Sequence, residues 1–388
     1  MMKNNPTPKS TLYIAASFYP HISHVRRLQF LFLLALTMAS AFAEVLSLSA
    51  VVPFIGILTD PSKVFYHPLI APVISILELE KPTDLVLPLA IFFIFSAIFA
   101  GFLRLALLRF SIRFSNAIGA DFGINAYSRT LYQPYSVHVS RSSSEIISGI
   151  TLKVGVATGT FTSLVSILTS SVLFLAIFGT LIAIDPFVAS IAMASFGTIY
   201  VIIAWMTQYR LLNNSACIAK GQTEVVKSLQ EGLGAIRDIL LDGTQTIYSN
   251  TYGKALWRLQ IANGDNVFIN VAPRYAMEAT GMVLIAMLAY YLSLQSGGIG
   301  AAFPVLGALA LGAQRLLPVL QQIYGNLVVV RGSHAALVDV LALLEQPLPR
   351  LLNQSNIQPF KFRDDIVLKN LSFQYNSTQK NILLNTNL

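Results

Sequence analysis

The chain has 388 residues, of which 54% are hydrophobic and only 11% charged, whereas an ordinary soluble domain carries about 25% charged residues. Together with a mean hydropathy of +0.63, this excludes a soluble globular protein and reads as a polytopic membrane protein. The net charge of +8 comes from Lys and Arg beside apolar runs and not from one basic face with interleaved aromatics, so a membrane accounts for it and no nucleic acid is needed; a lone Cys217 excludes an intrachain disulfide, and the five His residues have no Cys, Asp or Glu at ligand spacing, which leaves no metal site.

Residues 1–27 begin polar and then carry Leu12, Tyr13, Ile14, Phe18 and Tyr19 ahead of Arg26 and Arg27, the pattern of a short amphipathic segment lying along the cytoplasmic membrane face. Span one is predicted from 28 to about 58. A signal peptide ending at Ala41-Phe42-Ala43 is the weaker reading, because the apolar run continues through Ile57 and about 20 residues already cross a bilayer. Glu44 stands about 24 Å along this helix from Leu28, inside the membrane. Residues 59–84 form a polar, Pro-rich connection with a short apolar piece at 69–79.

Span two, 85–108, is predicted to continue as a long polar helix through Arg109, Arg113, Asp121 and Arg129 until Pro134. The Ser-rich patch 140–144 opens a second such helix with Glu145 and Lys153, which climbs into span three at about 164–184. Asp185-Pro186 is a tight turn. Span four, 187–206, is followed by another polar helical excursion over 208–266, broken near Gly232 and Gly234. Span five occupies 267–294, a Gly-rich turn 295–300, and span six 301–330. The two excursions hold most of the Lys and Arg, whereas the connections after spans one, three and five hold only Lys63 and Lys81; the positive-inside rule therefore puts the excursions and both termini in the cytoplasm.

Several charges fall where lipid is expected. Arg274 and Glu278 lie one turn apart in span five, and a charge at the centre of a span costs roughly 2.5–3.5 kcal/mol on insertion scales. They read either as a self-neutralising i,i+4 pair or as groups facing a water-filled path or polar substrate. Arg315 is about 21 Å from one end of span six, near the midplane. Arg104, about 28 Å along span two, reads equally as a snorkelling side chain and as a substrate contact. Glu44 reads equally as a structural partner of Arg315 or Arg274 and as a gating group. A proton-coupled transporter using Glu44 and Glu278 is a weaker reading, since it leaves the end of the chain unexplained.

That end changes in composition. Residues 345–364 make a polar, Pro-containing linker between the 28–344 helical domain and 365–388, where Ile366 to Tyr375 alternates in β fashion and Ile382 to Leu384 forms a second short apolar piece. Residues 365–388 resemble the first two strands of an ABC transporter nucleotide-binding domain, whose opening strand ends in Ser-Phe-x-Tyr, here Ser372-Phe373-Gln374-Tyr375. The resemblance implies that Tyr375 holds the adenine-stacking position, that an intact member uses ATP and Mg, and that the six spans form an exporter-type transmembrane domain working as a homodimer. The expected fold is thus an all-α membrane protein of six transmembrane helices with long cytoplasmic extensions, plus a short β start of a truncated ATPase domain. A multi-pass protein of the plasma (inner) membrane follows.

The segment from Glu44 to Ile55, Pro273-Arg274 with Glu278 and Gly281, and Arg315-Leu316-Leu317-Pro318 further resemble PglK-type flippases of lipid-linked oligosaccharides. That likeness implies a positively charged cavity in which Arg274, Arg315 and Arg104 meet the pyrophosphate of a polyprenyl-linked glycan, Glu278 orients Arg274, and 69–79 forms an external helix; Arg suits the role because it is always charged and grips phosphate with paired hydrogen bonds. Alternating access would be driven through the excursion ends, near 131–139 and 223–231. Export of another lipid or a peptide, and a non-transporting fragment or membrane scaffold, are the alternatives. No Gly-x-x-x-x-Gly-Lys-Ser/Thr occurs; the only Gly-Lys, Gly253-Lys254, is followed by Ala255, so ATP hydrolysis is not expected of this chain alone.

Overall fold

A computed structural model describes residues 11–59, 65, 81–184, 186–293, 298–348, 365–374 and 382–387. The chain divides into two units, Met1–Pro347 and Leu348–Leu388. The first is all-helical. Short α1 (Thr11–Ser17) and a 3-10 turn lead into α2 (His24–Thr59); α3 (Val86–Leu131), α4 (Tyr135–Ser140) and α5 (Ser143–Ser148) follow, and a π turn, Gly149–Lys153, joins α5 to α6 (Val154–Ile184). Then come α7 (Pro186–Gly234), α8 (Ile236–Asp242), α9 (Gln245–Ser293), α10 (Gly298–Gly332) and α11 (His334–Leu344).

Three stretches among the described residues are long and apolar enough to cross a membrane, His24–Ala50, Pro82–Leu131 and Ser143–Ala183; a fourth is added if Leu316–Gly332 and His334–Leu344, bent by 57°, count as one span. The helices α7 and α9 have 49 residues each, about 74 Å at 1.5 Å per residue, against roughly 30 Å of bilayer hydrocarbon, so each has length to spare beyond a single crossing. Helices α2, α3 and α6 pack together, as do α7, α9 and α10, and the seam between α6 and α10 joins the two groups. That seam is partly polar: the Ser166 hydroxyl accepts from Gln322 at 3.2 Å and from Asn326 at 2.9 Å.

The main apolar core lies between the Arg-bearing C-terminal half of α3 and the N-terminal half of α6, and the N-terminal segment is part of it. The segment was expected to lie along lipid. Instead Ile14 and Phe18, one turn apart, are buried among Phe122, Phe161, Leu337 and Val340, while Tyr13 and Tyr19 stay exposed. The Phe18, Phe122 and Phe161 rings meet pairwise at 5.2–5.5 Å between centroids. The amphipathic reading holds, but the apolar side faces protein. Thr11 Oγ1 and His334 Nδ1 are hydrogen-bonded at 3.0 Å, and Arg26 pairs with Asp121 at 2.9 Å. Burial, and then the Arg129 charge, hold His21 below its ordinary pKa, so its ring is neutral at pH 7 where the segment docks. Gly119 is required here, because a Cβ would sit 2.0 Å from Thr158 Oγ1 on α6.

The second unit contains an antiparallel pair, β1 (Leu371–Phe373) and β2 (Leu383–Thr386), with Leu371 opposite Thr386 and Phe373 opposite Leu383. Two steps along β1 thus face three along β2, a bulge at which Asn385 takes a left-handed φ of 50° and donates its N–H to Ser372 Oγ at 3.1 Å. The β character expected of 366–375 and 382–384 is present at both places. Tyr375, the linker 349–364 and the apolar piece 69–79 lie outside the described residues.

Candidate functional site

The candidate site is built on a helix with a missing hydrogen bond. Pro273 lies inside α9 and has no N–H, so the carbonyl four residues earlier, that of Ile269, loses its helical donor. The buried Tyr324 of α10 supplies a replacement, donating its hydroxyl to Ile269 O at 3.1 Å. Gly325, next to it, lets α10 come close: a Cβ there would lie 2.7 Å from Asn270 Oδ1. Tyr324→Phe should leave that carbonyl without a donor and destabilise the protein by about 1–3 kcal/mol; thermal unfolding in detergent checks this, and an unchanged midpoint would show that the Tyr324 bond adds nothing.

The residue after Pro273 is Arg274. Its Nε–H donates to Glu278 Oε1 at 2.8 Å, forming the i,i+4 pair anticipated from the sequence, yet 62% of the Arg274 side chain and 43% of Glu278 remain exposed. The pair is therefore formed without being hidden. A guanidinium has five N–H donors, and the four on the Nη amines remain for another acceptor. They border an open cleft of about 190 Å³ lined by Tyr200, Asn270, Arg274, Gln321 and Tyr324. Tyr200 is 8% exposed, its ring 5.3 Å from that of Tyr324, and its shielded hydroxyl has no hydrogen-bond partner among the described residues.

Glu44 and Arg104 form a second site. The Glu44 side chain is 2% exposed and its Oε1 lies 3.2 Å from Arg104 Nη2. Among the described residues the cation beside Glu44 is thus Arg104 of span two, whose side chain keeps 42% of its surface exposed. The register of α2 explains the burial. Thr37, Ser40, Glu44 and Ser47 follow the 3–4 spacing of one helix face and are all buried, so the polar stripe of α2 faces the bundle interior. Arg315 is on α10, and its side chain lies outside the described residues.

At the far ends of the long helices, two short helices close the excursions. The first, α4, carries exposed Tyr135 and Val139 beside exposed Leu131 and Tyr132, within the expected stretch 131–139. The second lies at the break expected near Gly232 and Gly234. Residues 223–231 continue α7 without a break, and the turn comes after Gly234, where α8 ends on Gly243 in the left-handed region at φ 65°. Leu233, Ile236, Leu240 and Leu241 are exposed there.

The sequence did not single out Tyr200, Asn270, Gln321 or Tyr324. One signal was available: Pro273 demands a donor for Ile269 from a facing helix, and Tyr324 is a buried hydroxyl able to reach it. No family model matches the chain, and no curated protein matches it.

Proposed function

We propose that this chain is the transmembrane part of an ATP-driven ABC exporter-type transporter, a homodimer in the plasma (inner) membrane that moves a lipid-linked oligosaccharide or a similar polyprenyl-phosphate lipid. The observation that carries the reading is Arg274, held in place by Glu278 yet left open to a cleft on a helix of an otherwise apolar bundle. Lipid is a costly neighbour for that face, at roughly 2.5–3.5 kcal/mol for a central Arg. A water-filled cavity closed by a second copy removes the cost, and an anionic headgroup gives the arginine a partner.

In this reading α2, α3, α6, α7, α9 and α10 are six spans, and Arg315 and Arg104 add positive charge to the cavity that Arg274 lines. The exposed apolar side chains of α4 and α8 support the ATP-driven part, since such patches at the ends of long helices suit docking of a soluble domain. The chain has no phosphate-binding loop of its own, so hydrolysis is assigned to a site outside these 388 residues, with Tyr375 against adenine.

Inside-out vesicles from cells that make the protein together with a complete ATPase domain test this. ATP should move a polyprenyl pyrophosphate-linked glycan from the outer to the inner leaflet of the vesicle, read as protection from an added glycosidase. Arg274→Ala and Arg315→Ala should each abolish the ATP-dependent fraction. Undiminished protection in both variants would sink the cavity assignment.

A further inference from the structure

The Arg274 cleft holds a hydroxyl that the fold does not use. Tyr200 projects from α7 into the seam with α10, buried to more than nine-tenths, and its shielded hydroxyl meets no acceptor among the described residues. Its neighbour Tyr324 is committed to Ile269 O. A buried hydroxyl without a partner is costly, so an acceptor arriving with a ligand removes a penalty already present in the empty site. The other groups in the cleft point to the kind of acceptor. Arg274 offers its Nη donors, and Asn270 and Gln321 bring amides that can donate; the one acidic group beside it, Glu278, already accepts from Arg274. The cleft, about 190 Å³ and open on one side, has room for a phosphate group.

We infer that Tyr200 is a binding residue for the anionic headgroup: its hydroxyl donates to a phosphate oxygen of a polyprenyl pyrophosphate that Arg274 grips from the other side. The inference rests on the proposed function above and names which protein groups divide the headgroup between them. Three helices then meet on one ligand, with Tyr200 on α7, Arg274 on α9 and Gln321 on α10.

The test is a titration of the purified protein in detergent with a short-chain polyprenyl pyrophosphate and with the matching polyprenol, for wild type and Tyr200→Phe, together with Tm of both without lipid. Phe keeps the ring and removes only the oxygen. Affinity for the pyrophosphate lipid should fall about tenfold, polyprenol affinity should stay the same, and the lipid-free Tm should stay the same or rise. Unchanged pyrophosphate affinity in Tyr200→Phe, with the wild-type preference for the charged lipid intact, overturns the tyrosine contact and leaves the Arg274 reading standing. A wild type without that preference overturns both. A lower lipid-free Tm in Tyr200→Phe also overturns the inference, since the hydroxyl would already serve the fold. Displacement of the lipid by equimolar inorganic pyrophosphate would assign the contact to a free anion and overturn the lipid assignment.

Discussion

Phe18→Ala should destabilise the protein by about 3–5 kcal/mol, the usual cost of emptying an aromatic core position. Phe18 is fully buried and in ring contact with Phe122 of α3 and Phe161 of α6, so the deletion leaves a cavity bounded by two long helices that cannot collapse freely. Tyr13, on α1 just before Phe18, is exposed, and Tyr13→Ala should stay within about 0.5 kcal/mol of wild type. The contrast separates the two places the N-terminal segment can put its apolar side. If that side rested on lipid, unfolding in detergent would respond equally weakly to both substitutions. Docking into the α3–α6–α11 core predicts that only Phe18→Ala lowers the midpoint strongly.

Asp339→Ala should cost about 3 kcal/mol, by leaving an unpaired charge in the interior. Lys153 ends the π turn between α5 and α6 with its side chain 5% exposed, and its Nζ lies 2.6 Å from Asp339 Oδ2 on α11. The close fit of α11 forces the burial: Gly149, at the start of the same turn, sits where a Cβ would come 2.8 Å from Leu343 Cδ1. Asp339 itself is 44% exposed and shares a cleft of about 100 Å³ with Lys153, so water reaches the carboxylate side and the cost stays at the low end of the roughly 3–5 kcal/mol seen when a buried pair is broken. Because the penalty comes from the stranded ammonium, Lys153→Met in the Asp339→Ala background should recover most of the loss, as buried pairs replaced by apolar groups often do. Equal destabilisation of the single and double variants would mean that Asp339 acts through something other than Lys153.

How much of this was readable beforehand depended on whether a feature is local. The long helices follow from uninterrupted apolar and helix-compatible runs. Nothing between Val86 and Leu131 breaks the chain after the first turn, and Pro134 marks the start of α4. The Arg274–Glu278 pair was equally legible, because i,i+4 geometry is fixed by the helix itself. What the sequence left open was relational. Glu44 pairs with Arg104 because of the relative rotation of α2 and α3, and neither residue's neighbours in the sequence encode it. Amphipathicity revealed that Ile14 and Phe18 share a face but not whether lipid or protein covers it, since both solvate apolar groups. The break near Gly232 and Gly234 was legible from the glycines themselves: α7 runs to Gly234 and the chain turns there. The cleft was the least legible feature, because Tyr200 and Tyr324 read as ordinary packing aromatics until Pro273 is seen to need a donor.

Native mass spectrometry of the purified chain, incubated with equal amounts of a polyprenyl pyrophosphate and the matching polyprenol, reads the role of Arg274 most directly. Wild type should retain the pyrophosphate lipid in preference, and Arg274→Ala should lose that preference by about tenfold or more, the weight of a hydrogen bond to a charged group. Equal retention of the two lipids by wild type, or an undiminished preference in Arg274→Ala, would contradict a headgroup contact at this arginine.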